Sequence, residues 1–100
     1  MQKKYQELEN KFQQLETSLQ DPAVLNDPKK IKEISQEYTE LKPTVEKIKE
    51  LALVEKGITE TKAIIDTEQD AQLKEMATAE LPDLESKKTT LETELEELTR

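Results

Sequence analysis

The sequence holds no cysteine, no histidine and no tryptophan, a single glycine, and only three aromatic rings in 100 residues. Each shortage removes a class of function. Without Cys or His there is no thiol nucleophile, no Cys/His zinc site, no disulfide and none of the usual imidazole acid/base chemistry. One glycine is too few for the Gly-rich loops that cradle phosphates. Asp66 to Glu75 supplies carboxylates but not the glycine an EF-hand loop requires. With 33% apolar residues, one Phe and two Tyr, a thick globular core cannot be filled, whereas layers of helices with narrow apolar seams can. The most apolar window, Leu51-Ala52-Leu53-Val54, falls far below the ~20 residues needed to span a bilayer. The N-terminal Lys3-Lys4 has no apolar segment after it, so it is no secretory signal, and a cytoplasmic location is expected.

What the sequence does have is charge, 23 acidic and 15 basic residues for a formal net charge of -8. The acidity is uneven. Residues 1–50 carry 9 basic and 10 acidic side chains, a balance of -1, whereas residues 51–100 carry 6 and 13, a balance of -7. The second half is repelled from a phosphate backbone. Lys3, Lys4, Lys11, Lys29, Lys30 and Lys32 could make local contacts to RNA, but without Arg and with few rings for base stacking they read first as a solvated helical face.

Apolar residues recur at helical spacing. Tyr5, Leu8, Phe12, Leu15 and Leu19 follow intervals of 3 and 4, one stripe of a helix over about residues 2–20. Between Asp21-Pro22 and Asp27-Pro28 lies a short connector, with Asp27 suited to cap the next helix and Pro28 to its first position. Ile31, Ile34, Tyr38, Leu41, Val45 and Ile48, then Leu51, Val54, Ile58 and Ile65, define a second helix over about 28–66, with one slip that resembles a stammer. Pro43 removes a hydrogen bond inside it, predicting a kink or a break of a residue or two near Lys42. Gly57 is read as tolerated within the helix, with a helix end there as the alternative. After the polar connector Asp66 to Asp70, a third helix over about 71–98 turns Leu73, Met76, Ala77, Leu81, Leu84, Leu91, Leu95 and Leu98 inward, bent at Pro82 and weakest at Lys87 and Lys88.

At ~1.5 Å per residue the three helices span about 28, 58 and 42 Å. The expected fold is all-α, an elongated antiparallel three-helix bundle or coiled-coil hairpin with kinked second and third helices.

Chemistry is nearly absent. Glu92, Glu96 and Glu97, or Glu33, Glu37 and Glu40, are carboxylate groups at helical spacing, but a di-metal bundle site wants Glu-x-x-His and no His exists. Ser18, Ser35 and Ser86 lack a base partner. No catalytic residue, cofactor site or metal site is assigned, and surfaces are the remaining candidates. Met76, Ala77 and Ala79 could form a small-residue groove, and Tyr5, Phe12 and Tyr38 could stack on a base, although their spacing suits a core.

The words of the sequence, in order, resemble the N-terminal helical domain of bacterial class I peptide chain release factors. The likeness runs from Gln20-Asp21-Pro22-Ala23-Val24 through Ile34-Ser35-Gln36-Glu37-Tyr38-Thr39-Glu40-Leu41 and Val45. It returns at Asp70, Leu73-Lys74-Glu75-Met76-Ala77 and Glu80-Leu81, and ends in Leu91-Glu92-Thr93-Glu94-Leu95. The Ser-Gln-Glu-Tyr and Glu-Met-Ala words look more like release factor one, to which the family assigns UAA and UAG. The resemblance implies a non-catalytic ribosome-docking and positioning domain near the base of the large-subunit stalk, linked to the GTPase that recycles release factors. The family's Gly-Gly-Gln motif, which promotes peptidyl-tRNA hydrolysis, has no counterpart among these residues, and Pro43-Thr44-Val45 does not match its Pro-x-Thr codon-reading tripeptide. Residues 1–100 are therefore expected to be one N-terminal domain of a longer factor, without the codon-reading and hydrolytic domains. The residues alone leave two other readings: a structural coiled-coil dimerisation module, suggested by the heptads, and a tRNA-binding helical arm, suggested by Lys3, Lys4, Lys29 and Lys30.

Overall fold

Two Asp-Pro dipeptides organise the first third of the chain. In each, the aspartate precedes a helix whose first residue is the proline, a position where the missing N–H costs nothing. The Asp21 carboxylate accepts from the Ala23 N–H at 2.9 Å, and the Asp27 carboxylate from the Lys29 and Lys30 N–H groups at 3.1 and 3.2 Å. The computed structural model describes residues 2–100 and contains α1 (Lys3–Ser18), α2 (Pro22–Leu25), α3 (Pro28–Thr67) and α4 (Ala71–Leu98). The chain is all-α, with no strand among the described residues. The segment expected to be a connector is the one-turn helix α2, because Asp21-Pro22 starts a helix by the same device as Asp27-Pro28. It buries Val24 and leaves Leu25 outside.

The chain divides into two compact units, residues 1–48 and 49–100. In the first, Tyr5, Phe12 and Leu15 of α1 are buried together with Val24, Thr44, Val45 and Ile48. The Phe12 and Tyr38 rings join α1 to α3, stacked with centroids 4.6 Å apart and planes 15° from parallel. Such a pair adds ~0.5–1.5 kcal/mol beyond its buried area. Beside it, Lys11 Nζ meets Glu37 Oε1 at 2.6 Å. Both side chains are about half exposed, so this pair contributes under ~1 kcal/mol.

The second unit is a helical hairpin. Leu51, Val54, Ile58 and Thr61 of α3 and Ala77, Leu91 and Leu95 of α4 are its buried residues. Its two helices run antiparallel: Gly57 faces Leu84, and Glu50, seven residues earlier, pairs with Lys87, three residues later. The turn is closed by side chains. The Asp70 carboxylate caps α4, accepting from the Gln72 and Leu73 N–H groups at 2.9 and 3.2 Å, while Glu68 accepts from the Asp70 N–H at 3.1 Å. Among the described residues, no buried side-chain nitrogen or oxygen lacks a hydrogen-bond partner, so the buried threonines Thr44 and Thr61 do not introduce an unsatisfied group.

The prolines behave differently from a break. Both α3 and α4 continue without interruption through Pro43 and Pro82. Pro43 and Pro82 are exposed, as are Thr39 and Thr78 one turn earlier, so the carbonyls that lose an N–H partner lie where water reaches them. The inward set on α4 also needs correction. Leu73, Met76 and Leu98 are about half exposed or more. Leu73 and Met76 sit in the first turns of α4 to one side of the seam that Ala77, Leu81 and Leu84 set, so α3 covers them only in part.

Gly57 lies well inside α3 with an ordinary helical φ. A Cβ built there would sit 3.7 and 3.8 Å from the Leu84 methyl carbons, ordinary contact distances. Gly57→Ala is therefore expected to stabilise the protein by about 0.5–1 kcal/mol, the helix-propensity difference, seen as a higher urea midpoint with unchanged slope.

Candidate functional site

The tip of the α3–α4 hairpin carries the clearest surface feature. Seam residues on α3 fall at Leu51, Val54, Ile58, Thr61 and Ile65, and on α4 at Ala77, Leu81, Leu84, Lys88, Leu91 and Leu95. One flank of this seam is marked by the Lys87 Nζ–Glu50 Oε1 contact at 3.3 Å. Ile64 lies two heptads after Glu50, and Leu73 two heptads before Lys87, so both occupy that same flank, displaced toward the tip. Met76 is three residues on from Leu73, on the same helical face. Ile64, Leu73 and Met76 thus share one flank near the tip, with exposures of 42%, 49% and 63%. Scattered exposed apolar residues are ordinary, but three on one flank of one tip make a patch.

Its surroundings are acidic. Between residues 59 and 80 stand Glu60, Asp66, Glu68, Asp70, Glu75 and Glu80 against only Lys62 and Lys74. An apolar flank edged by carboxylates suits a partner that offers an apolar recess among basic groups, and repels a bare phosphate backbone.

The other sequence candidates are placed as follows. Ala77 is buried while Met76 and Ala79 are exposed, so these residues do not form a common small-residue groove. Tyr5 and Phe12 are core residues, and Tyr38 is half-buried against Phe12. Lys4 lies 5.4 Å from the centre of the Tyr5 ring, a cation–π distance. The basic run Lys29, Lys30 and Lys32 is exposed at the start of α3, where the Asp27 carboxylate accepts from the Lys29 and Lys30 backbone N–H groups. Of the carboxylate groups, Glu37 pairs with Lys11, Glu40 accepts from the Gln36 amide at 3.4 Å, and Glu97 pairs with Arg100 at 3.0 Å. Among the described residues no three Asp or Glu side chains converge as a metal site would require. Among the same residues no helix is long and apolar enough to cross a membrane. Lys87 and Lys88, the weak point of the α4 stripe, divide their roles: Lys88 is half-buried on the seam and Lys87 bridges to Glu50.

Sequence reasoning missed the tip because it placed Leu73 and Met76 inside. The signal was available in the phase: Ala77, Leu81 and Leu84 set the seam, and Met76 falls beside it.

Taken together, the fold and its surface define an acidic, all-α hairpin module. The chain belongs to the PCRF domain family, whose model matches residues 8–100. Relatives include "Peptide chain release factor 1" of Geobacillus sp. (strain WCH70), 36% identical over 80 residues, which is 80% of this chain and 22% of the relative. The protein of the same name from Bacillus thuringiensis subsp. konkukian is 35% identical over 86 residues, 86% of this chain and 24% of the relative. That of Listeria monocytogenes serovar 1/2a is 36% identical over 90 residues, 90% of this chain and 25% of the relative. The chain thus spans about a quarter of the length of the curated relatives it matches. No solved structure matches it significantly. These likenesses agree with the release factor one type suggested by the sequence words.

Because Leu73 and Met76 contribute little to the fold, Leu73→Gln and Met76→Gln should each change stability by less than ~0.5 kcal/mol in urea titrations. Leu91→Ala, at a residue only 3% exposed, should cost about 2–5 kcal/mol.

Proposed function

We propose that this chain is the ribosome-docking and positioning domain of a translation termination factor, and that it is itself non-catalytic. The observation that carries this reading is the PCRF match over residues 8–100 together with the release factor 1 relatives. On this reading the complete cytoplasmic factor recognises UAA and UAG and promotes peptidyl-tRNA hydrolysis through domains other than this one. Its partners are the ribosome, at the base of the large-subunit stalk, and the GTPase that recycles release factors.

The hairpin tip is the surface we assign to docking. Its occupant is a basic ribosomal protein face, because the Ile64, Leu73 and Met76 flank is edged by carboxylates that disfavour bare rRNA. A hydrophobic centre with a charged rim is also the usual arrangement of a protein interface.

The absence of cysteine provides a direct test. A Met76→Cys variant carries the only thiol in the chain and accepts a photo-crosslinker at the tip. With ribosomes stalled at a stop codon, it should crosslink to a basic large-subunit protein, well above a Ser86→Cys control on the exposed face of α4. Crosslinks confined to rRNA, or no stronger than the control, would reject this docking surface. Acceleration of peptide release by the chain alone would reject the non-catalytic assignment.

A further inference from the structure

We propose that a second, separate site lies in the first unit: a seat for one arginine side chain of a protein partner, formed by Glu16, Leu19, Gln20 and Tyr38. These four residues line a shallow cleft of about 240 Å³ where the end of α1 meets the first half of α3. That volume is below the ~300–1,000 Å³ of pockets that hold cofactors and drug-sized molecules. It leaves room for a single long side chain.

The lining chemistry selects which one. Leu19 and the Tyr38 ring are half-buried and offer an apolar floor for an aliphatic stem. The aromatic ring attracts a cation laid against it. The Phe12 ring, stacked on Tyr38 at 4.6 Å, holds that ring in place, so little side-chain freedom is lost when the cleft fills. Glu16 is exposed and brings a carboxylate to the cleft, and Gln20 adds an amide that can accept a further N–H. A planar guanidinium meets all three demands: it stacks on an aromatic face, pairs with a carboxylate through two parallel N–H groups, and loses hydration more readily than an ammonium. Lysine supplies a stem and a charge but neither the planar fork of N–H groups nor the weaker hydration. A nucleobase could use the ring and the amide, but its phosphate would approach Glu16.

This inference is independent of the termination-factor reading, since it uses only the residues of the cleft. The test uses the whole 100-residue chain and three soluble probes: N-acetyl-arginine amide, N-acetyl-lysine amide and adenosine monophosphate, each titrated while NMR follows the Leu19 methyls and the Tyr38 ring. The arginine probe should shift both saturably, and the lysine probe should bind about fivefold more weakly, a difference of about 1 kcal/mol. Glu16→Gln, at an exposed position that leaves the fold intact, should weaken the arginine probe about fivefold or more, as expected for a charge-assisted contact. Tyr38→Phe, which keeps the ring and its stack on Phe12, should retain binding. Equal binding of the arginine and lysine probes, shifts confined to the acidic second unit, or no effect of Glu16→Gln would overturn the proposal. Stronger shifts from adenosine monophosphate than from the arginine probe would overturn it in favour of a nucleic-acid occupant.

Discussion

The molecule depends on one constraint: each helix has a single narrow apolar stripe, and that stripe must lie against another helix. Burying a large apolar side chain yields ~1.5–3 kcal/mol, whereas fixing one residue's backbone costs ~1–2 kcal/mol. Val24 contributes at the low end of that range and the single methyl of Ala77 below it, so the few large residues carry most of the packing. Leu95 and Ile48 are fully shielded, and Tyr5 and Phe12 supply most of the aromatic volume of the first unit. The Phe12–Tyr38 stack is prominent for the same reason. In a chain with three aromatic rings, setting two of them face to face concentrates much of the available dispersion energy at one contact between α1 and α3.

That constraint also explains what the sequence could reveal. Stripes at intervals of 3 and 4 have few alternative explanations in a chain with one glycine, and Tyr5, Phe12, Leu15, Val45, Ile48, Leu51, Val54, Ile58, Leu91 and Leu95 are indeed buried. Local capping was legible too, because Asp27-Pro28 starts a helix through its own side chain whatever the rest of the chain does. The same logic applied to Asp21-Pro22 would have found α2. What spacing could not supply was pairing. The phase sets Leu73 and Met76 beside the seam, but only the register of α4 on α3, marked by Gly57 facing Leu84 and Glu50 pairing with Lys87, shows where along α3 that flank lies. Likewise, spacing shows that Pro43 and Pro82 remove a hydrogen bond but not that both prolines and the threonines one turn before them are exposed, on the sides of helices that run on without interruption.

Charge follows a separate logic from packing. In the second unit the ion pairs Glu50–Lys87 and Lys56–Glu60 are largely exposed and worth under ~1 kcal/mol each. The acidic surplus of residues 51–100 acts against compactness. Its effect is outward: it steers approach and discriminates between partners that present the same apolar shape with different charge.

The exposed tip residues sharpen this point. The fold gains little from a leucine at position 73 or a methionine at position 76, since each is about half exposed or more and a polar residue would keep the helix as well. An exposed apolar flank is a liability for solubility, and the surrounding Glu60, Asp66, Glu68, Asp70, Glu75 and Glu80 offset it by making one copy of the tip repel another. Such an arrangement disfavours self-association through this patch while leaving it open to a surface of opposite charge. Methionine suits that role because its flexible thioether adapts to an imperfect recess. On the proposed reading, the hairpin tip and the Glu16–Tyr38 cleft share one design: an apolar or aromatic floor with carboxylate at its edge. Both therefore select for the same partner chemistry, a basic protein surface, although they lie in different units of the chain.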